Sequence, residues 1–242
     1  MTNLHIITEG QGRPLVLFHG WGFDIKIWSP LLPLLTNQYQ LYLVDLPGFG
    51  LTQPMEWDVF KSTLLKQLPE RFALAGWSMG GLYATRLAIE VPERVTHLIN
   101  ISSSPYFIRE NHWSGVAIQI FRAFYEDMKR DPLGTLRQFI ALQLQDQTEM
   151  PSFMPLSAPS EVGLQEGLNT LVNWDLRQSL VHLDMPVLYM FGRLDTIIPR
   201  KTMLIMQAAY PRFKYILFSK AAHVPFLSHS DDFNIALEEF LQ

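Results

Sequence analysis

Short, uninterrupted apolar runs recur along the chain, each closed by Gly, Asp or Ser. "RPLVLFHG", "YQLYLVDLPG", "RFALAGWS" and "VTHLINISSS" lie before residue 105, and "MPVLYMFGRLD" and "FKYILFSKAA" lie after residue 182. Runs of this length without apolar/polar alternation suit strands that are buried on both faces of a parallel sheet. Between them, apolar residues take helical spacing over Met79 to Glu90, Pro199 to Ala209 and Asp231 to Leu241. Strands alternating with helices predict an α/β fold with a mostly parallel, doubly wound sheet, whose ligands bind at the carboxyl ends of the strands.

The pattern changes between Pro105 and His182. "WSGVAIQIFRAFYEDMKR" and "DPLGTLRQFIALQLQ" have helical spacing, "EMPSFMPLSAPS" is rich in Pro and Ser, and no convincing strand occurs. A helical block between strands predicts a lid over the functional edge of the sheet. Residues 1–104 and 183–242 are therefore expected to form the core, with 105–182 inserted as a helical lid within one structural domain.

Composition narrows the partners. Of the 242 residues, 48% are hydrophobic and 12% aromatic, and ten are methionine, which leaves apolar side chains to line a pocket for a greasy ligand. A net charge of −4 and the lack of any long Lys/Arg run argue against nucleic acid. With no cysteine, a thiol nucleophile and Cys-type zinc sites are excluded, and any covalent nucleophile is an oxygen or a lysine. The amino terminus has no basic region followed by an apolar one, and no window reaches about 18 consecutive apolar residues, so a cytoplasmic protein without a membrane partner is expected.

The candidate chemistry sits in "ALAGWSMGGLYA". Gly76-Trp77-Ser78-Met79-Gly80 is a G-x-S-x-G match between an expected strand and an expected helix. That context is what a nucleophile elbow requires: a strained turn that raises the serine beside a helix N-terminus, where developing negative charge is stabilised. The plain alternative is a Gly-rich turn with a serine N-cap.

A serine hydroxyl needs a base, and that base needs a carboxylate, in the order Ser, Asp, His for this arrangement. Asp195 closes "VLYMFGRLD", with a turn or capping aspartate as its alternative, and His223 follows the last strand-like run. Of the other histidines, His5 precedes the core, His97 lies within a strand, and His112 and His182 belong to the lid. His229, near the start of the last helix, is the rival base. The "FHGWG" loop supplies backbone donors for an oxyanion, with the N–H groups of Trp21 and Met79 as candidates and His19 as a ring that bonds loop backbone.

Taken together, the chain resembles the α/β-hydrolase superfamily and, within it, the pimeloyl-[acyl-carrier protein] methyl ester esterases of biotin synthesis. "LFHGWG" and "GWSMGGL" are shared by many hydrolases, whereas "SSSPYF", "RQFIALQ", "FGRLDTIIPRK" and "KAAHVPFLSH" are more specific, and the resemblance runs nearly end to end. It implies a triad of Ser78, Asp195 and His223, no metal or organic cofactor, and a monomer. It also implies substrate contacts at Trp21, Ser78, Met79 and His223 and along Phe139, Ile140, Ala141, Leu142 and Gln143. For Phe139, Ile140 and Leu142 the alternative is packing within the lid.

One departure concerns the acyl-carrier protein that the resemblance implies as partner. Family members dock it through lid arginines, yet residues 105–182 here carry six Lys and Arg against nine Asp and Glu, with no arginine in "LQDQTEMPSFMPLSAPS". Carrier docking is expected to be weaker or differently built. Since the triad alone does not choose a substrate, a general short-acyl esterase, a carbon–carbon bond hydrolase and a non-catalytic ligand-binding module stay open.

Overall fold

The computed structural model describes residues 3–144 and 159–242. In chain order the elements are β1 (Ile6–Gly10), β2 (Arg13–Phe18), α1 (Leu32–Leu35), β3 (Tyr39–Val44), α2 (Trp57–Leu65), β4 (Phe72–Trp77), α3 (Met79–Glu90) and β5 (Val95–Ile101). They continue with α4 (Ile118–Arg130), α5 (Pro132–Leu144), α6 (Glu161–Asn173), β6 (Val187–Gly192), α7 (Arg200–Ala209), β7 (Lys214–Phe218), α8 (Pro225–Ser228) and α9 (Ser230–Leu241).

The seven strands form one sheet in the order β1-β3-β2-β4-β5-β6-β7, parallel except for β1, which pairs antiparallel with β3. All six expected strands are present. β4 and β6 are buried along their whole length, which explains why their sequences lack alternation. β1 escapes that pattern because it is an edge strand with four of its five residues exposed. The topology puts the carboxyl ends of β2, β4, β6 and β7 on one side of the sheet, and the loops that follow carry His19, Ser78, Asp195 and His223.

Helices α4, α5 and α6 are interposed between β5 and β6, as the change of pattern after Pro105 predicts. A short tongue precedes them: bridges Ile108–Val116 and Glu110–Trp113 fold residues 107–116 back on themselves. The first expected helix therefore begins at Ile118 rather than near Trp113. "EMPSFMPLSAPS" lies, up to Ala158, outside the described residues. Helix α6 has weak helical propensity at Gly163, Gly167 and Asn169 and is held instead by its contacts. Ser160 caps it by accepting from the Gly163 N–H (3.0 Å) and donates its hydroxyl to the Gly48 carbonyl (3.2 Å).

Gly163 and Gly48 approach backbone to backbone, so a side chain at Gly163 would collide with the Gly48 carbonyl. Gly163→Ala is expected to cost about 1–3 kcal/mol through this overpacking, read as a lower denaturant midpoint with an unchanged slope. Among the described residues no helix is long and apolar enough to cross a membrane.

Candidate active site

Ser78 adopts φ 55° and ψ −119°, a conformation that L-residues rarely take and that is found where surrounding structure enforces it. Two contacts hold it: the Ser78 N–H donates to the Ile101 carbonyl (2.9 Å), and the Ser103 hydroxyl donates to the Ser78 carbonyl (2.7 Å). The flanking glycines are steric necessities. A Cβ at Gly76 would collide with the Gly80 carbonyl, and one at Gly80 with the carbonyls of Phe18 and His19. The turn can thus sit tightly between β4, α3 and the end of β2.

The structure brings Asp195 and His223 together. Asp195 Oδ2 accepts from His223 Nδ1 at 2.7 Å, while its Oδ1 accepts from the N–H groups of Ile197 (2.8 Å) and Ile198 (2.9 Å). Both side chains are buried. With Nδ1–H donated to the carboxylate, Nε2 is the nitrogen with a free lone pair, and it is buried without a hydrogen-bond partner among the described residues. Asp195 is therefore not merely a turn aspartate.

The remaining histidines are placed elsewhere. His229 stands at the N-cap position of α9 without a side-chain capping bond, and its ring contacts the Ser228 hydroxyl. His97 lies in β5 with its ring edge-on to Phe240, and His112 is exposed on the tongue. His182 ends a short 3-10 turn. His5 bonds Asp45 (2.7 Å), which also accepts from the N–H groups of Ile25 and Leu51, so this second Asp–His pair organises loops away from Ser78.

His19 does bond loop backbone. Its Nε2 accepts from the Leu46 N–H (3.0 Å), so Nδ1 carries the proton and donates to the Gly20 carbonyl (2.8 Å). Burial pushes its pKa below the ordinary imidazole value, against the opposing charge of Asp45, and keeps the ring neutral.

Among the described residues neither the Trp21 nor the Met79 N–H has a hydrogen-bond acceptor. For Met79 this follows from its place as the first residue of α3. Trp21 is fixed through its ring: the indole N–H donates to the Leu164 carbonyl of α6 (2.9 Å), and the ring packs edge-on against Phe124 and Phe139.

Trp77, which sequence reasoning passed over as the variable position of the motif, ties the site loops together. Its indole N–H donates to the His223 carbonyl (2.8 Å), and its ring fills the space that a Cβ at Gly20 would need. The only sequence signal was its position inside a motif whose neighbours are small.

Ser78 and Trp21 open onto a cavity of about 380 Å³. Ile120, Phe121 and Phe124 reach it from α4, Phe139 from α5, and Leu168 and Leu171 from α6, while Phe107 and Val116 of the tongue complete the apolar wall. The spacing of Ile120, Phe121 and Phe124 is that of one helix face and was the available signal for this lining.

Met79 and His223 do not line the cavity; the Met79 sulfur packs toward Gly167. Ala141 is exposed and is not among the residues around this cavity. Ile140, Leu142 and Gln143 belong to α5, but their side chains lie outside the described residues.

A profile of the α/β-hydrolase family matches residues 15–236, from β2 through β7 and across the site loops. The chain belongs to that family. Within it, the hydrolase groups with proteins named pimeloyl-[acyl-carrier protein] methyl ester esterase. One from Legionella pneumophila (strain Corby) is 55% identical over 240 residues, covering 99% of this chain and all of the relative. Another, from Aliivibrio salmonicida, is 39% identical and covers 100% of this chain and 97% of the relative. Among solved structures, an esterase from Exiguobacterium antarcticum superposes with a TM-score of 0.89 at 23% identity, covering 99% of the hydrolase and 95% of that chain. A bromoperoxidase from Bacillus anthracis has a TM-score of 0.85 at 24% identity, covering 98% of the hydrolase and 95% of that chain. These structural likenesses speak to the fold alone.

Proposed function

We propose that the hydrolase cleaves the methyl ester of pimeloyl-[acyl-carrier protein], leaving the free carboxylate on the carrier-bound chain and releasing methanol. The observations that carry this reading are the buried Asp195–His223 pair with an unpartnered Nε2, tied through the His223 carbonyl to Trp77, and next to Trp77 in the chain a strained Ser78 on the wall of an apolar cavity. Full-length identity of 55% to relatives of that name supports the substrate.

His223 Nε2 takes the Ser78 proton as Oγ attacks the ester carbonyl carbon. The carbonyl oxygen becomes an oxyanion, stabilised by the Trp21 and Met79 N–H groups. Asp195 steadies the imidazolium that forms. Collapse of the tetrahedral species breaks the bond to the methoxy oxygen, which leaves as methanol with the proton from His223. Water then attacks the acyl-serine through the same base, restoring the Ser78 hydroxyl and releasing the acid. The chemistry uses only these protein groups.

The apolar wall fits the methylene chain, since each buried methylene contributes about 0.8 kcal/mol. The tongue and helices α4, α5 and α6 act as the lid that keeps this wall dry, and the enzyme works as a cytoplasmic monomer that also accepts small esters. Phe121→Ala, on the cavity wall but without a ring contact to Trp21, is expected to raise KM for a long-chain methyl ester about tenfold while leaving p-nitrophenyl acetate turnover unchanged, as steady-state kinetics on both would record.

The deciding experiment compares kcat/KM on carrier-bound pimeloyl methyl ester with that on a p-nitrophenyl ester. It is paired with complementation of a strain unable to make the pimeloyl moiety of biotin. A strong preference for the carrier-bound ester and growth with wild type are expected. Equal or poorer rates on the carrier-bound ester would sink the substrate assignment.

A further inference from the structure

The helices over the cavity offer an acidic partner little net attraction. On α4, Lys129 pairs with Glu126 and Arg130 with Asp127, while Arg122 on α4 and Arg137 on α5 have no carboxylate partner among the described residues but share the helical cover with Glu161 and Glu166 of α6. A separate groove, behind the tongue that walls the cavity, carries further cations without carboxylate partners.

The tongue has two sides. Phe107 and Val116 face the catalytic cavity, whereas Arg109, His112 and Ser114 line a separate groove of about 600 Å³ on the outside, closed by Pro199 and Lys201 at the start of α7. The segment leading into α7 is shared in the same way, because Thr196 and Ile197 line the cavity. The groove is thus separated from the cavity by the thickness of one chain segment.

The groove is built on a firm base. The Thr202 hydroxyl donates to the Ser114 carbonyl (3.3 Å) and joins α7 to the tongue. The Trp113 indole donates to the Tyr106 carbonyl (2.8 Å), and the Arg177 guanidinium lies over both of those rings.

Its charge is one-sided. Arg109 donates Nε–H to the Gly115 carbonyl (3.1 Å), while among the described residues neither Arg109 nor Lys201 has a carboxylate partner. Both are exposed, as are His112 and Arg200. The groove's one acid, Glu110, is held by Arg177 (3.0 Å) and the Tyr106 hydroxyl (3.0 Å). From Thr196 to Ile205 there is no acidic residue.

We propose that this groove, through Arg109 and Lys201, is the docking surface for the acidic face of the acyl-carrier protein. It takes the place of an arginine-rich lid and sets the carrier beside the wall of the catalytic cavity. The inference rests on the carrier-bound substrate proposed above. Rim charges of this kind act mainly on encounter and on salt dependence, leaving bond-making at the serine untouched.

The test uses the full chain with Arg109→Glu/Lys201→Glu, and with the milder Arg109→Gln/Lys201→Gln in case reversal harms folding. Substrates are the methyl pimeloyl group on intact carrier, on free phosphopantetheine and on a p-nitrophenyl ester. The reversed pair is expected to lower kcat/KM on the carrier at least tenfold through KM and to flatten its salt dependence. The neutral pair should fall between it and wild type, with the other two substrates unchanged. Arg122→Glu/Arg137→Glu, on α4 and α5, should have a smaller effect.

Unchanged carrier kinetics in the groove variants, a larger loss from the helix pair, or an equal loss on free phosphopantetheine would overturn the docking surface. If wild type itself fails to turn over the carrier-bound ester, the function and the docking surface fall together. Carrier turnover that is normal in wild type and in the groove variants overturns the docking surface alone.

Discussion

Ser78→Ala is expected to lower kcat by about 10⁵- to 10⁶-fold, the loss typical when an activated serine is removed from a working triad. The fold should survive, because the elbow is held by backbone and by the Ser103 hydroxyl rather than by Oγ. What disappears is the atom that attacks. The oxyanion donors would remain and leave a residual rate above water. Single-turnover hydrolysis with product quantified, alongside fluorophosphonate labelling, reads the result. A variant within tenfold of wild type, or one still labelled at a single site, would remove Ser78 from the mechanism.

Asp195→Asn should cost about 10⁴-fold in kcat for a different reason. The amide oxygen of asparagine can keep the two bonds from Ile197 and Ile198, so the turn is preserved. Its NH₂ then faces His223 Nδ1 and donates to it, which moves the ring proton to Nε2. The nitrogen that should accept the serine proton is then already protonated. Melting temperature is expected to stay within a few degrees of wild type while kcat falls. A variant that loses activity and stability together would instead assign Asp195 a structural role.

Most of the sheet was legible because its strands are buried on both faces, so runs such as "FALAGW" had no polar interruptions. The edge strand β1 was not, since exposure of Thr8, Glu9 and Gly10 erases the signal. Helix α6 was hidden by Gly163 and Gly167, residues that serve close packing against Gly48 and Trp21 rather than local helicity.

The site shows the same division. Ser78, Asp195 and His223 could be chosen from chain order and strand ends, whereas the contribution of Trp77 lies in a hydrogen bond spanning 146 positions that no local pattern encodes. The cavity wall was half legible. The helical spacing of Ile120, Phe121 and Phe124 marks a buried face, but only tertiary placement distinguishes a wall from a core.

The bond from the Trp21 indole to the Leu164 carbonyl makes the catalytic loop and its cover interdependent. The residue proposed to offer its backbone N–H to the oxyanion has its ring clamped by the very helix that lines the cavity. If α6 swings away to admit an acyl chain, Trp21 loses that clamp and its amide loses its aim. On the proposed mechanism, hydrolysis needs α6 seated over the cavity, so cover and catalyst act as one unit.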